Sequence, residues 1–260
     1  MTVPEITLTA PDGPAGAPLL VLGPSLGTST ILWETTAPLL RGTYRVAAWD
    51  LPGHGASPAP TDAFTVADIA DGVADAVRGL GEERILYAGV SLGGATGLEL
   101  ALRHPELVAS AAIVASGAQL GDPQAWHDRA AQVRAQSTSS LVTASAQRWF
   151  APGSIEREPE LSGRLLHALQ DTDDEGYARC CEALARYDVR GRLGEIALPV
   201  RAIWGRFDQV APEPKAAEIA GGVRRGSIAV VEDAAHLPPA EQPAATAAAL
   251  LDFFGESGAR

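Results

Sequence analysis

Short apolar runs alternate along this chain with longer stretches whose apolar positions recur every three or four residues. The runs at residues 6–9, 19–22, 45–49, 85–88, 111–115, 200–204 and 227–231 read as strands. Several are apolar without alternation, the pattern of a strand covered on both faces. Residues 65–80 place Val66, Ile69, Val73 and Val77 on one helical face. Leu92–Arg103 and residues 240–254 are Ala- and Leu-rich and read as further helices. Such alternation predicts an α/β domain with a mostly parallel central sheet flanked by helices.

The middle of the chain breaks this rhythm. From about residue 122 to 193 the strand signal disappears. Residues 126–136, 140–150, 161–169 and 177–187 all read as helices, separated by breaks at Pro152-Gly153 and Pro159. The strand pattern restarts at Leu198-Pro199-Val200. Several consecutive helices exceed one ordinary crossover. Residues 122–193 are therefore expected to form a helical cap inserted over the carboxyl edge of the sheet, with a core made of residues 1–121 and 194–260. That edge is where α/β sheets bind ligands.

Composition narrows the classes of function. The 260 residues are 46% hydrophobic and 20% charged, as in an ordinary globular protein of one large domain. Disorder is expected only at residues 256–260. A net charge of −12 repels phosphate backbones, so nucleic acid is not an expected partner. No basic, then apolar, leader opens the sequence, and no apolar run is long enough to span a bilayer, so no membrane association is expected. Cys180 and Cys181 are the two cysteines. As sequence neighbours they suit neither a bridge nor a zinc site, and they read as helix-borne thiols in a reducing cytoplasm.

The strongest chemical signal is Gly89-Val90-Ser91-Leu92-Gly93 between a strand run and a helix run. A sharp strand-to-helix turn lifts a serine hydroxyl clear of the sheet, and its neighbours must be small. It also aims the first helical N–H groups, including that of Leu92, at a reacting carbonyl oxygen. Ser91 is thus the expected nucleophile.

A serine hydroxyl needs a base. Five histidines compete. His104 lies at the far end of the helix that follows Ser91, His127 and His167 lie in the middle helices, and His54 sits in a Gly-flanked turn. His236 follows the last strand run, on the same sheet edge as Ser91, and is the expected base. The orienting acid should lie between them in sequence. Asp208 follows the 200–204 strand and is favoured, with Asp233, three residues before the histidine, as its rival.

Taken together, Asp50-Leu51-Pro52-Gly53-His54-Gly55-Ala56-Ser57, the Gly89–Gly94 turn, Arg103-His104-Pro105-Glu106, Trp204-Gly205-Arg206-Phe207-Asp208 and Ala235-His236 resemble the α/β-hydrolase superfamily across almost the whole chain. Within it the sequence is most similar to 3-oxoadipate enol-lactonases. Ser25-Leu26-Gly27-Thr28-Ser29 with Trp33, Trp126 with Arg129, Arg148-Trp149-Phe150 and Tyr177-Ala178-Arg179-Cys180-Cys181-Glu182-Ala183-Leu184 carry that likeness. It departs at Pro52, where those lactonases carry an arginine. The resemblance implies an α/β-hydrolase fold, a second oxyanion donor at the Leu26 amide paired with that of Leu92, and no metal or organic cofactor. It implies a serine hydrolase opening a small lactone through an acyl-enzyme. Arg129 and Arg148 become candidates for a substrate carboxylate, and Trp126 and Trp149 for apolar walls. A carboxylesterase, a carbon–carbon bond hydrolase, a perhydrolase and a receptor-like ligand binder are the alternatives that the same residues allow.

Overall fold

The computed structural model describes residues 2–256. Six strands, β1 (Leu19–Gly23), β2 (Arg45–Ala48), β3 (Ile85–Val90), β4 (Val108–Val114), β5 (Pro199–Gly205) and β6 (Arg225–Val231), form one sheet in the order β2-β1-β3-β4-β5-β6. Every neighbouring pair is parallel. β1 and β3 are buried at every position, which is why their sequences are apolar without alternation. β6 alternates in exposure, as an edge strand does.

The helices are α1 (Ala37–Leu40), α2 (Val66–Gly79), α3 (Leu92–Arg103), α4 (Pro123–Gln136), α5 (Val142–Trp149), α6 (Ser154–Arg157), α7 (Pro159–Gln170), α8 (Asp174–Ala185), α9 (Glu213–Gly222), α10 (Pro238–Glu241) and α11 (Pro243–Glu256). α2 begins at Thr65, whose side chain accepts from the Asp68 N–H while Asp68 reaches back to the Thr65 N–H, a reciprocal cap. Its buried face carries Val66, Ile69, Val73 and Val77, the positions expected from periodicity. α3 is buried from Leu92 to Ala101 because it packs on both the sheet and α2.

All of α4 to α8 lie between β4 and β5. α4 packs along α8, and Arg134 ties them by ion pairs to Glu175 (2.7 Å) and Glu182 (2.6 Å). This segment meets the carboxyl end of the sheet at two glycines. A Cβ on Gly27 would lie 2.6 Å from Leu169, and one on Gly53 would lie 2.8 Å from the Gly176 Cα. Larger residues at either place would force the helices away from the sheet.

Two expected elements differ. Residues 6–9 do not form a strand of the sheet. They make only an isolated antiparallel bridge, Leu8 to Trp49, beside β2. Two backbone bonds make that bridge, Thr9 N–H to the Ala48 carbonyl (2.8 Å) and Asp50 N–H to the Thr7 carbonyl (3.2 Å), and side chains take the adjoining positions, since Ser57 Oγ accepts the Thr7 N–H and Thr9 Oγ1 accepts the Ala48 N–H. The expected helix at 240–254 is split into α10 and α11, because Pro243 has no N–H to continue the first helix. Of the tail expected to be disordered, Glu256 closes α11 and pairs with Arg201 at 2.9 Å, and residues 257–260 lie outside the described residues.

Candidate functional site

Ser91 stands at the junction of β3 and α3 with φ 54 and ψ −112. A non-glycine residue there is strained, and the surroundings must hold it. Its N–H donates to the Val114 carbonyl (2.9 Å), and its carbonyl accepts both the Ala95 N–H (2.9 Å) and the Ser116 hydroxyl (2.7 Å). Gly93 donates to the Pro24 carbonyl (3.0 Å), and Tyr87 donates its hydroxyl to the Gly93 carbonyl (2.7 Å). Cβ atoms on Gly89 and Gly93 would approach backbone oxygens at 2.3 and 2.5 Å, so both positions require glycine. Ser116 and Tyr87 hold the turn in place, and neither carries a sequence signal for that task.

His236 follows β6, and its Nδ1 lies 3.0 Å from Asp208 Oδ2. Asp208 follows β5 and is 4% exposed. Its other oxygen accepts the Val210 and Ala211 N–H groups at 2.7 and 3.1 Å. Burial alone would raise this carboxyl, but the His236 imidazole and the two amides outweigh it and hold it below the ordinary value. Asp208 is therefore ionised at neutral pH. Asp233, the rival acid, sits in an exposed turn at φ 57, and Asp208 occupies the imidazole nitrogen for which it competed.

The loop after β1 folds on itself. Thr28 Oγ1 accepts the Ser25 N–H (3.1 Å) and donates to the Ser25 carbonyl (2.8 Å). The Gly27 N–H donates to His54 Nε2 (3.1 Å). Both neighbours of Leu26 thus have their amides engaged, whereas among the described residues no protein acceptor takes the Leu26 N–H. His54 is buried, directs Nδ1 at the Pro52 carbonyl (2.9 Å) and stacks on Tyr177 of α8. Burial lowers its pKa from 6.5 to about 4, so the ring is neutral and can accept the Gly27 N–H. The sequence marks His54 only as a residue of a Gly-flanked turn. Its place beneath this loop depends on a backbone amide, which leaves no mark in sequence.

Ser91, Leu26 and His236 open onto a cavity of about 270 Å³ that Trp126, Arg129, Arg148, Trp149 and Tyr177 also line. The cavity brings together the serine, the histidine and the four residues expected from the middle helices. Ser25, Ser145, Tyr177 and Gln209 add polar groups not foreseen. Arg129 lies over the Trp126 ring at 5.0 Å, and Trp126 donates Nε1–H to the Leu120 carbonyl (2.7 Å). Among the described residues no carboxylate pairs with Arg129 or Arg148. Glu175 and Glu182 are taken by Arg134 and Arg179. Asp122, also on the cavity wall, spends its carboxylate capping α4. Burial, and next the like charge of Arg129, pull Arg148 below its ordinary pKa. Two guanidinium groups in one cavity give it the positive charge that attracts an anion.

Burial raises both cysteine thiols, Cys181 to about 12, so neither is a thiolate at neutral pH. Among the described residues no cluster of three or more His, Cys, Asp or Glu could hold a metal, and no helix is long and apolar enough to cross a membrane.

Residues 18–243 match the family model described as the alpha/beta hydrolase fold. The chain belongs to the alpha/beta hydrolases. As a member it is a hydrolase, with the six-stranded parallel sheet and flanking helices of that fold. It is 35% identical over 247 residues to 3-oxoadipate enol-lactonase 2 of Acinetobacter baylyi, covering 92% of each chain. It is 31% identical over 245 residues to the pimeloyl-[acyl-carrier protein] methyl ester esterase of Neisseria meningitidis, covering 90% of this chain and 91% of that one. Among alpha/beta hydrolases of known structure, the enol-lactonase from Burkholderia xenovorans superposes with a TM-score of 0.91 at 32% identity, covering 96% of each chain.

Proposed function

We propose that this hydrolase opens a small carboxylate-bearing lactone, 3-oxoadipate enol-lactone being the first candidate, through a Ser91–His236–Asp208 triad. One observation carries the reading. The serine and histidine share a cavity of about 270 Å³ with two guanidinium groups that, among the described residues, no carboxylate pairs with. Likeness to the Acinetobacter enol-lactonase supports the choice of lactone.

In this mechanism His236 removes the Ser91 proton as Oγ attacks the lactone carbonyl. Asp208 holds the imidazole by its Nδ1–H and stabilises the imidazolium. The Leu26 and Leu92 amides receive the oxyanion, and losing one such donor costs about 3 to 4 kcal/mol of barrier lowering. The ring carbon–oxygen bond breaks, the leaving oxygen takes the proton from His236, and the enol tautomerises to a ketone. His236 then deprotonates a water that attacks the acyl-Ser91 ester, freeing the acid and regenerating the serine. Arg129 and Arg148 hold the substrate carboxylate beside the Trp126 and Trp149 walls. Residues 122–193 act as the cap that encloses it. The reaction calls for no metal or organic cofactor and suits a cytoplasmic enzyme.

Hydrolysis of a simple carboxylic ester is the second reading, supported by likeness to the Neisseria methyl ester esterase. Steady-state kinetics on the enol-lactone and on p-nitrophenyl acetate separate the two. The proposal expects a kcat/KM at least about 100-fold higher for the lactone, because only that substrate engages the guanidinium pair. Equal or lower kcat/KM for the lactone refutes the substrate assignment.

A further inference from the structure

One buried carboxylate fastens the backbone on both sides of His236. Glu241 ends α10 and is 6% exposed. Its Oε1 accepts the Ala235 N–H (2.8 Å) and the Leu237 N–H (3.2 Å). Its Oε2 accepts the Ala151 N–H (2.6 Å) and the Ser154 hydroxyl (2.8 Å). The amide in between, that of His236, donates to the Trp149 carbonyl (3.1 Å). Three consecutive amides, 235 to 237, therefore end either on Glu241 or on the end of α5. Ala151 lies just past the end of α5, Ser154 opens α6, and Trp149 at the end of α5 walls the cavity.

We propose that Glu241 is a positioning residue for His236, clamping the histidine loop to the end of α5 so that the imidazole and the helical wall of the cavity hold one geometry. This rests on His236 acting as the base. The choice of residue follows from donor counting. An ionised carboxylate only accepts, with about four lone-pair sites, and four donors converge here. Burial holds the Glu241 carboxyl above its ordinary pKa, and the four donors, first the Ala151 amide, offset only part of that rise. A glutamine keeps the shape but turns an NH₂ toward two of those donors, so either the His236 side or the α5 side of the clamp is lost. A shift of the loop by a fraction of an ångström misplaces the base relative to Ser91.

The test uses p-nitrophenyl acetate, which any serine hydrolase reading permits, so that the lactone assignment does not enter. Parent, Glu241→Gln, Ser154→Ala and His236→Ala proteins are compared for kcat and KM, with folding followed by circular dichroism and the downfield His236 Nδ1 proton by NMR. Glu241→Gln should lower kcat about 10-fold or more with KM within about 3-fold, and shift or broaden that resonance. Ser154→Ala, which removes one donor and keeps the carboxylate, should lower kcat about 2- to 5-fold. A purely structural role would lower stability and leave the kcat of folded protein and the resonance unmoved. A folded Glu241→Gln with parental kcat and resonance overturns the proposal. If Glu241→Gln does not fold, parental kcat and resonance in Ser154→Ala overturn it. His236→Ala keeps the two readings apart. Full activity in that variant removes the triad itself, whereas an inactive His236→Ala beside a normal Glu241→Gln removes only the clamp.

Discussion

Acid should loosen this protein through His54. The unperturbed imidazole pKa is 6.5, and burial brings it to about 4 in the folded chain, against smaller opposing effects of the Pro52 carbonyl and Asp173. Below pH 6.5 the unfolded chain binds a proton that the folded chain refuses until about pH 4. Stability from this group is therefore complete above 6.5, falls as pH drops, and levels off below the folded value. Linkage over that interval gives a loss of about 2 kcal/mol by pH 5 and about 3 kcal/mol by pH 4. Burial is the main cause, and protonation would also cost the ring its acceptor role, since a protonated Nε2 cannot accept the Gly27 N–H at 3.1 Å. Urea unfolding of the parent and of His54→Gln at pH 7 and pH 5, followed by circular dichroism, isolates the effect. Glutamine can still accept an amide proton but does not titrate. The parent should lose about 2 kcal/mol more than the variant between the two conditions. Equal losses in the two proteins would refute the reasoning, because every other titrating group is shared.

Other consequences follow from the same geometry. Asp208→Asn keeps the shape but removes the charge that fixes the imidazole tautomer, so kcat should fall on the order of ten-thousand-fold while circular dichroism is unchanged. A double Arg129→Leu, Arg148→Leu variant should raise KM for a carboxylate-bearing lactone about 10- to 100-fold and leave KM for p-nitrophenyl acetate within about 2-fold. Gly53→Ala places a methyl 2.8 Å from the Gly176 Cα at φ 74, and a urea melt should show a loss of about 1 to 3 kcal/mol.

The parts of this molecule that sequence could disclose are those whose chemistry restricts side-chain type. Gly89 and Gly93 are glycines because backbone oxygens leave no room for a Cβ, and that restriction makes the turn at Ser91 visible in the sequence. Val66, Ile69, Val73 and Val77 reveal α2 because its burial is one-sided. What stayed hidden works through backbone groups. Ser116, His54 and Glu241 act on carbonyls and amides supplied by distant segments, and any residue can supply those. The strand expected at 6–9 stays a single bridge, because beyond the Thr7 and Thr9 backbone bonds to Asp50 and Ala48 the pairing passes to the Ser57 and Thr9 side chains, which periodicity does not register. The break at Pro243 was legible, since proline cannot continue a helix, but the Ala/Leu richness around it dominated the reading. Arg129 and Arg148 could be named as candidates. That among the described residues no carboxylate pairs with them depends on where Arg134 and Arg179 take Glu175 and Glu182.

The most direct test is to stop the reaction midway and find where the acyl group resides. Rapid acid quench during the burst of p-nitrophenyl acetate turnover, followed by peptide mass spectrometry, should find an acetyl group on Ser91, with neither burst nor adduct in Ser91→Ala. A steady rate in Ser91→Ala equal to that of the parent, or an adduct at another residue formed fast enough to lie on the pathway, would contradict the account.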